Sequence, residues 1–189
     1  MRKVIMFNLM TIDGFFEGTS HDISWHNVDA EFNDYTINEM FPSSDLLLFG
    51  RVTYELMAGF WPTPEALKDD PIVAGKMNSS AKIVFSRTLN KAEWNNTRLV
   101  KDNMEEEVRK LKEQPGKDIA LLGSGSIVSQ LARSGLIDEY RIKMNPIVVG
   151  QGTPLFTDVK DRLNMKLLRT RIFRNGNVLL CYAPAGKEK

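Results

Sequence analysis

Short, uninterrupted apolar runs alternate along this chain with segments in which apolar residues recur every three or four positions. The runs are Val4–Met10, Asp45–Phe49, Lys82–Phe85, Arg98–Val100 and Ile119–Leu122. Runs of that length without polar alternation suit strands covered on both faces. Between them, Val52, Leu56 and Phe60 recur at spacing four, Met104, Val108 and Leu111 form a second stripe, and Ile127, Val128 and Leu131 form a third. Each stripe predicts an amphipathic helix. Asp102 with Glu105 has the spacing of a capping box, and Gly135 is placed to end the third helix in a left-handed cap.

Strand, helix, strand, helix predicts a largely parallel sheet with helices on both faces. The C-terminal third reads differently. Ile137–Val149 and Met165–Tyr182 have few helical signals, and "RIFRNGNVLLCY" places Asn175-Gly176 between two β-rich runs. That is the signature of a hairpin with a type I′ turn. The expectation is one α/β domain over 1–189, with a mostly parallel mixed sheet ending in antiparallel strands.

Composition narrows the function classes. The 189 residues are 42% hydrophobic and 26% charged with a net charge of +1, and Glu105-Glu106-Glu107 is answered by Arg109, Lys110 and Lys112. Nothing marks a nucleic-acid or membrane partner. The single cysteine, Cys181, cannot form an internal disulfide. Cytoplasmic residence is therefore the expectation. "MRKVIMFNLM" reads as a first buried strand rather than a signal peptide, because Asn8 interrupts it and Asp13-Gly14 follow.

In open parallel sheets, ligands bind beyond the carboxyl ends of the strands. Three such ends carry "GRVTYE" after Phe49, Ser86-Arg87-Thr88 after Phe85, and Gly123-Ser124-Gly125-Ser126 after Leu122. Glycines admit phosphate oxygens to the backbone, helix N-termini offer N–H groups, and Arg51 and Arg87 can grip phosphate in a bidentate way. Each piece alone also suits a plain turn or a solvated arginine, since Val128 stands where GxGxxG would have its third glycine. His21 and His26 lack the spacing and partners of a metal site, and no metal is expected.

These motifs resemble the dihydrofolate reductase-like superfamily, in particular the reductase domain of the riboflavin-biosynthesis deaminase-reductase and its small stand-alone relatives. The matching pieces are "TIDGFFEG", "LLLFGRVTYE", "IVFSRTL", "DIALLGSGSIVSQL", "GLIDEYRIKMNPIVVGQGTPLF" and the terminal hairpin, in the family's order. The resemblance implies a three-layer mixed sheet that binds NADPH. Gly50, Arg51 and Thr53 would lie near the adenosine phosphates, Ser86 and Arg87 at the 2′-phosphate, and Gly123, Ser124, Gly125 and Ser126 around the pyrophosphate. Asp13, Gly14, Trp25 and Pro146 would face the substrate, with Asp29, Glu31 and Asp13 as candidate catalytic acids. A homodimer is implied as well. The activity implied is reduction of a pteridine-like or ribosylaminopyrimidine-like heterocycle, as by a 5-amino-6-(5-phosphoribosylamino)uracil reductase. One cysteine excludes the zinc deaminase half, and "SWHNVDAEF" fits the dihydrofolate reductase spacing of tryptophan and acid imperfectly. A nucleotide-binding or dimeric interaction protein that kept the fold and lost turnover is the competing reading.

Overall fold

The computed structural model describes residues 1–186. The chain runs β1 (Val4–Thr11), β2 (Phe15–Glu17), α1 (Ala30–Tyr35), α2 (Phe41–Ser43), β3 (Ser44–Gly50), α3 (Arg51–Phe60), α4 (Pro64–Asp69), α5 (Pro71–Ser79), β4 (Ala81–Phe85), β5 (Thr97–Val100), α6 (Met104–Glu113), β6 (Asp118–Leu121), α7 (Gly125–Arg133), β7 (Glu139–Asn145), β8 (Thr153–Pro154), β9 (Met165–Ile172) and β10 (Val178–Pro184). Eight strands form one sheet in the order β5-β4-β3-β6-β1-β7-β10-β9, and β2 pairs with β8 in a separate ribbon. Pairings are parallel from β5 to β7 and antiparallel from β7 through β10 to β9. The mixed α/β sheet read from the alternation is the one found.

Strand period explains how one apolar run serves two layers. Alternate residues of a strand face opposite sides of its sheet. Met6, Leu46, Leu48, Ile83 and Leu121 therefore pack on the face covered by Val108, Ile127, Val128 and Leu131 of α6 and α7. Their neighbours Phe7, Leu47, Phe49 and Val84 pack on the other face, against Phe32, Tyr54, Val73 and Met77 of α1, α3 and α5.

This division positions the site. Strands β3 and β6 are neighbours, yet α3 leaves toward one face and α7 toward the other. Such a switch opens a crevice beyond the strand ends.

Three local expectations change. The hairpin between β9 and β10 is present, but only Gly176 of its turn has a positive φ, at 86°. Gly176 N–H donates to Phe173 O and Phe173 N–H to Asn177 O, the pattern of a type I turn with a bulge glycine instead of type I′. The capping box at α6 does not form: Asn103 takes the N-cap position in a left-handed conformation, and Asp102 turns to Arg87 at 3.5 Å. The stripe Val52, Leu56, Phe60 is not the core face of α3. Tyr54 is buried there, while Leu56 and Phe60 are each 44% exposed. Gly135 ends α7 as expected, with φ 64° and Leu136 N–H donating to Leu131 O at 2.9 Å.

Candidate active site

Two helix N-termini meet in the crevice. Gly50 precedes α3 and Ser124 precedes α7, and neither end is capped by a side chain. Their first-turn amides are left for another acceptor, and the partial positive charge of both ends points the same way. The turns are in contact: Gly50 N–H donates to Gly123 O at 2.8 Å. A Cβ on Gly50 would stand 2.3 Å from Ser124 Oγ and 3.1 Å from Ser124 N, so only glycine permits this approach. The peptide between Gly123 and Ser124 is cis. Ser124 and Ser126 hydroxyls lie 3.0 Å apart. Gly125 is buried, with the Phe16 ring over the place of its missing Cβ.

On one side, a polar cleft opens between the ends of β4 and β5 and helices α6 and α7. Arg87, Lys101 and Arg109 line it, together with Ser86 and the acids Asp102, Glu105 and Glu106. Arg87 is highly exposed and faces Asp102. The Ser86 hydroxyl accepts the Leu89 and Thr88 amides, which shapes the loop that presents Arg87. Lys101 and Arg109 were not singled out from sequence; their signal is proximity to the β5 end and to the first turns of α6. Arg51 lies at the start of α3 with its guanidinium on Glu55 at 2.7 Å, outside this cleft.

On the other side, Thr53 and Asn8 border Gly123 and lead into a cavity of about 270 Å³ between β1, α1, α3 and α5. Its polar wall consists of Asn8, Glu17, His21, His26, Asn33, Thr36, Thr53 and Asp70. Glu17 is buried and pairs with the exposed His21 at 2.9 Å. Asn8 Oδ1 and His26 Nε2 are buried without a hydrogen-bond partner. Unpaired polar atoms in a cavity wall are available to a water or ligand seated there.

His26 is held over the cavity by its neighbour. Asn27 N–H donates to Asn145 Oδ1 at 3.1 Å, and Asn27 O accepts from Asn177 Nδ2 at 2.8 Å and from Lys143 Nζ. Lys143 is fully buried, with its ammonium 4.2 Å from the Phe32 ring centre. Burial first, then the Lys143 charge, push the His26 imidazole down to about 4. This has a consequence for stability. Between pH 6.5 and about 4 the unfolded chain binds a proton on this residue that the folded chain refuses, so stability falls as pH drops through that window. The loss approaches about 3 kcal/mol once the pH is below the folded value. Urea denaturation of wild type and His26→Phe, at neutral and acid pH, should show a flatter pH dependence in the variant; parallel curves would assign the acid sensitivity elsewhere.

The remaining residues read from sequence lie outside the cavity wall. Asp13 accepts from Val149 N–H and Gly150 N–H, the latter at 2.8 Å. The Thr11 hydroxyl and these amides hold its carboxyl below the ordinary range, so it stays ionised. Gly14, with φ 90°, closes the turn back to Thr11. Pro146 is exposed and packs near Gly176. Trp25 donates to Asp22 O and sets its edge against His26. Asp29 caps α1 by accepting from Phe32 N–H at 2.9 Å, and Glu31 accepts from Arg174 N–H at 2.9 Å. The acids that do reach the cavity, Glu17 and Asp70, were not among the sequence candidates.

A dinucleotide fits the layout of this site: Arg87, Lys101 and Arg109 among three acids at one end, bare helix N-termini at the centre, and a cavity with unpartnered polar atoms at the other. The fold is shared with solved reductases. It superposes on dihydrofolate reductase from Enterococcus faecalis complexed with NADP(H) at a TM-score of 0.64 and 13% identity, covering 96% of each chain. It also superposes on a diaminohydroxyphosphoribosylaminopyrimidine deaminase/5-amino-6-(5-phosphoribosylamino)uracil reductase from Thermotoga maritima at a TM-score of 0.68 and 17% identity, covering 97% of this chain and 57% of that one. The uncharacterized protein YyaP of Bacillus subtilis (strain 168) is 38% identical over 183 residues, 96% of this chain and 94% of its own. No described helix is long and apolar enough to cross a membrane. With the RibD C-terminal domain pattern matching residues 2–179, the chain belongs to the RibD C-terminal domain family.

Proposed function

We propose that the protein is an NADPH-dependent reductase of a small heterocycle, acting in the cytoplasm. The observation that carries this reading is the convergence of two uncapped helix N-termini, α3 and α7, on one glycine-lined crevice. Amides of Gly125, Ser126 and the first turn of α3 would hold the pyrophosphate. Arg87, with Lys101 and Arg109 lining the same cleft, would take the 2′-phosphate. A reduced nicotinamide bound at the Thr53 and Asn8 end would supply a hydride to the ring in the cavity.

The chain's own part is orientation, exclusion of water and proton supply. Asn8 and His26 offer their orphaned atoms to fix the ring. Glu17, reaching the cavity and paired with solvent-exposed His21, would pass a proton to the heteroatom that gains charge. Asp29 is not assigned that role because its carboxylate caps α1. The assembly in this reading is a homodimer formed through the late strands, where the edge strand β9 exposes Leu167, Leu168 and Ile172.

Calorimetry with NADPH and NADH tests the reading. Arg87→Ala should weaken NADPH by about tenfold and leave NADH nearly unchanged, because a single charge-assisted contact is lost. Equal losses would remove Arg87 from the 2′-phosphate. Absence of heat with either coenzyme would remove the reductase reading itself.

A further inference from the structure

We infer that the cavity selects an uncharged, largely apolar planar ring compound and rejects phosphorylated or carboxylated ones; the inference rests on the reductase reading for the reaction, but its binding test does not. Cations line one end of the crevice only, and there they stand beside Asp102, Glu105 and Glu106. Arg87, Lys101 and Arg109 lie in the cleft at the β4 and β5 ends. Among the described residues, no lysine or arginine lines the cavity at the other end. Its body is built from Phe32, Met40, Trp61, Val73 and Met77, with further apolar side chains around them. A phosphate or carboxylate seated there would lose its hydration and find no guanidinium or ammonium in exchange.

The polar groups present make the mismatch worse. Glu17 and Asp70 both line the wall, and an ionised carboxylate repels an anion rather than donating to it. Asp70 already accepts from Val73 N–H at 3.1 Å and Asn33 Nδ2 at 2.9 Å. His21 is engaged with Glu17. His26 is neutral at pH 7, because burial and Lys143 disfavour its charged form. Lys143 itself is not in the wall and is spent on the Asn27 carbonyl and the Phe32 ring face. What remains for recognition is neutral: Asn8, Thr53, the orphaned Nε2 of His26, and Thr36 as an acceptor only, since its hydroxyl donates to Phe32 O at 3.0 Å. Those groups suit a ring with a few uncharged donors and acceptors. At about 270 Å³ the space is at the small end for ligand sites, which also disfavours a ribosyl phosphate tail.

The experiment uses paired neutral and anionic probes on the full-length protein without coenzyme. Tryptophan quenching, with Trp61→Phe as the reference for signal from the cavity wall, follows 6-methylpterin against pterin-6-carboxylate and 2-methylquinoxaline against quinoxaline-2-carboxylate. Each methyl compound should bind about tenfold or more tighter than its carboxylate, since a like charge without a counter-ion is costly. The quinoxaline should bind at least as well as the pterin. Leu56→Arg, which adds a cation at a half-exposed cavity position, should narrow the gap in both pairs. Equal affinities within either pair in the wild type, or a gap unmoved by Leu56→Arg, would overturn the inference. So would faster NADPH oxidation with a phosphoribosylaminopyrimidine than with a neutral ring. A neutral-ring preference in a protein that gives no heat with NADPH would keep the inference about the cavity and end the reductase reading.

Discussion

A Gly50→Val variant should bind NADPH about thirtyfold more weakly than wild type while remaining folded, a loss of about 2 kcal/mol from two misaligned helix N-termini. The valine Cβ would collide with Ser124 Oγ and press on Ser124 N, at 2.3 Å and 3.1 Å. The hydroxyl can rotate, but the amide nitrogen cannot move without its turn. The Gly123–Ser126 segment must then retreat, and the amides of α3 and α7 no longer aim at one point. Gly59→Ala is the control, because a Cβ there meets nothing within 4 Å. Calorimetry should show Gly59→Ala unchanged and Gly50→Val impaired, with similar thermal unfolding. Wild-type affinity in Gly50→Val would move the pyrophosphate out of the crevice.

The second large effect concerns stability. Lys82 is buried on β4, and its ammonium donates to Met77 O at 2.8 Å, Asn78 O at 3.2 Å and Ser80 O at 2.6 Å. It also lies 4.5 Å from the Trp94 ring centre. These carbonyls belong to the last turn of α5 and the link to β4, which are short of donors as at any helix end. Burial pushes the Lys82 ammonium down to about 8, which still leaves it mostly charged at neutral pH. Lys82→Ala should cost about 3 kcal/mol, from carbonyls left unpaired and a void beside Trp94. Lys82→Met fills the void and leaves the carbonyls, so it should recover a minor part of that cost. Urea denaturation decides, and a Lys82→Met protein as stable as wild type would show that the carbonyls find other donors. Because α5 carries Val73 and Met77 into the cavity, a frayed end of α5 should also weaken ring binding.

Particular residues show what could be read from the chain. The five early strands were legible to within a residue or two, because strands in the body of a covered sheet carry few polar positions, such as Asn8 and Lys82, to break the run. The strand ends bearing Gly50, Ser86 and Gly123 were legible for the same reason: they follow directly from the runs. The face of α3 was not. Val52 and Leu56 are apolar because a cavity, as well as a core, favours apolar walls, and spacing alone does not separate the two. The acids were harder still. Glu17 reaches the cavity because β2 is held against β8, far along the chain, and Gly152 lets the ribbons touch: a Cβ there would lie 2.2 Å from Glu17 O. Asp70 arrives as a helix cap and His26 through the anchoring of Asn27. No local pattern encodes these meetings. Asp29, by contrast, stands before an apolar helical segment as a capping residue does, and that is how the fold uses it.

The anchoring of Asn27 has a temporal side. The groups that grip its backbone sit on Lys143 and Asn145 of β7 and on Asn177, in the turn between the final two strands. On the ribosome, the roof of the cavity is made early and its fastenings come last. A nascent chain halted before Asn177 emerges has the turns at Gly50 and Gly123 already synthesised but lacks one of the clasps on residue 27. The cavity is therefore complete only once the final hairpin has been made, which also delivers Phe173, Leu179 and Cys181 to the core that packs α1, α3 and α5.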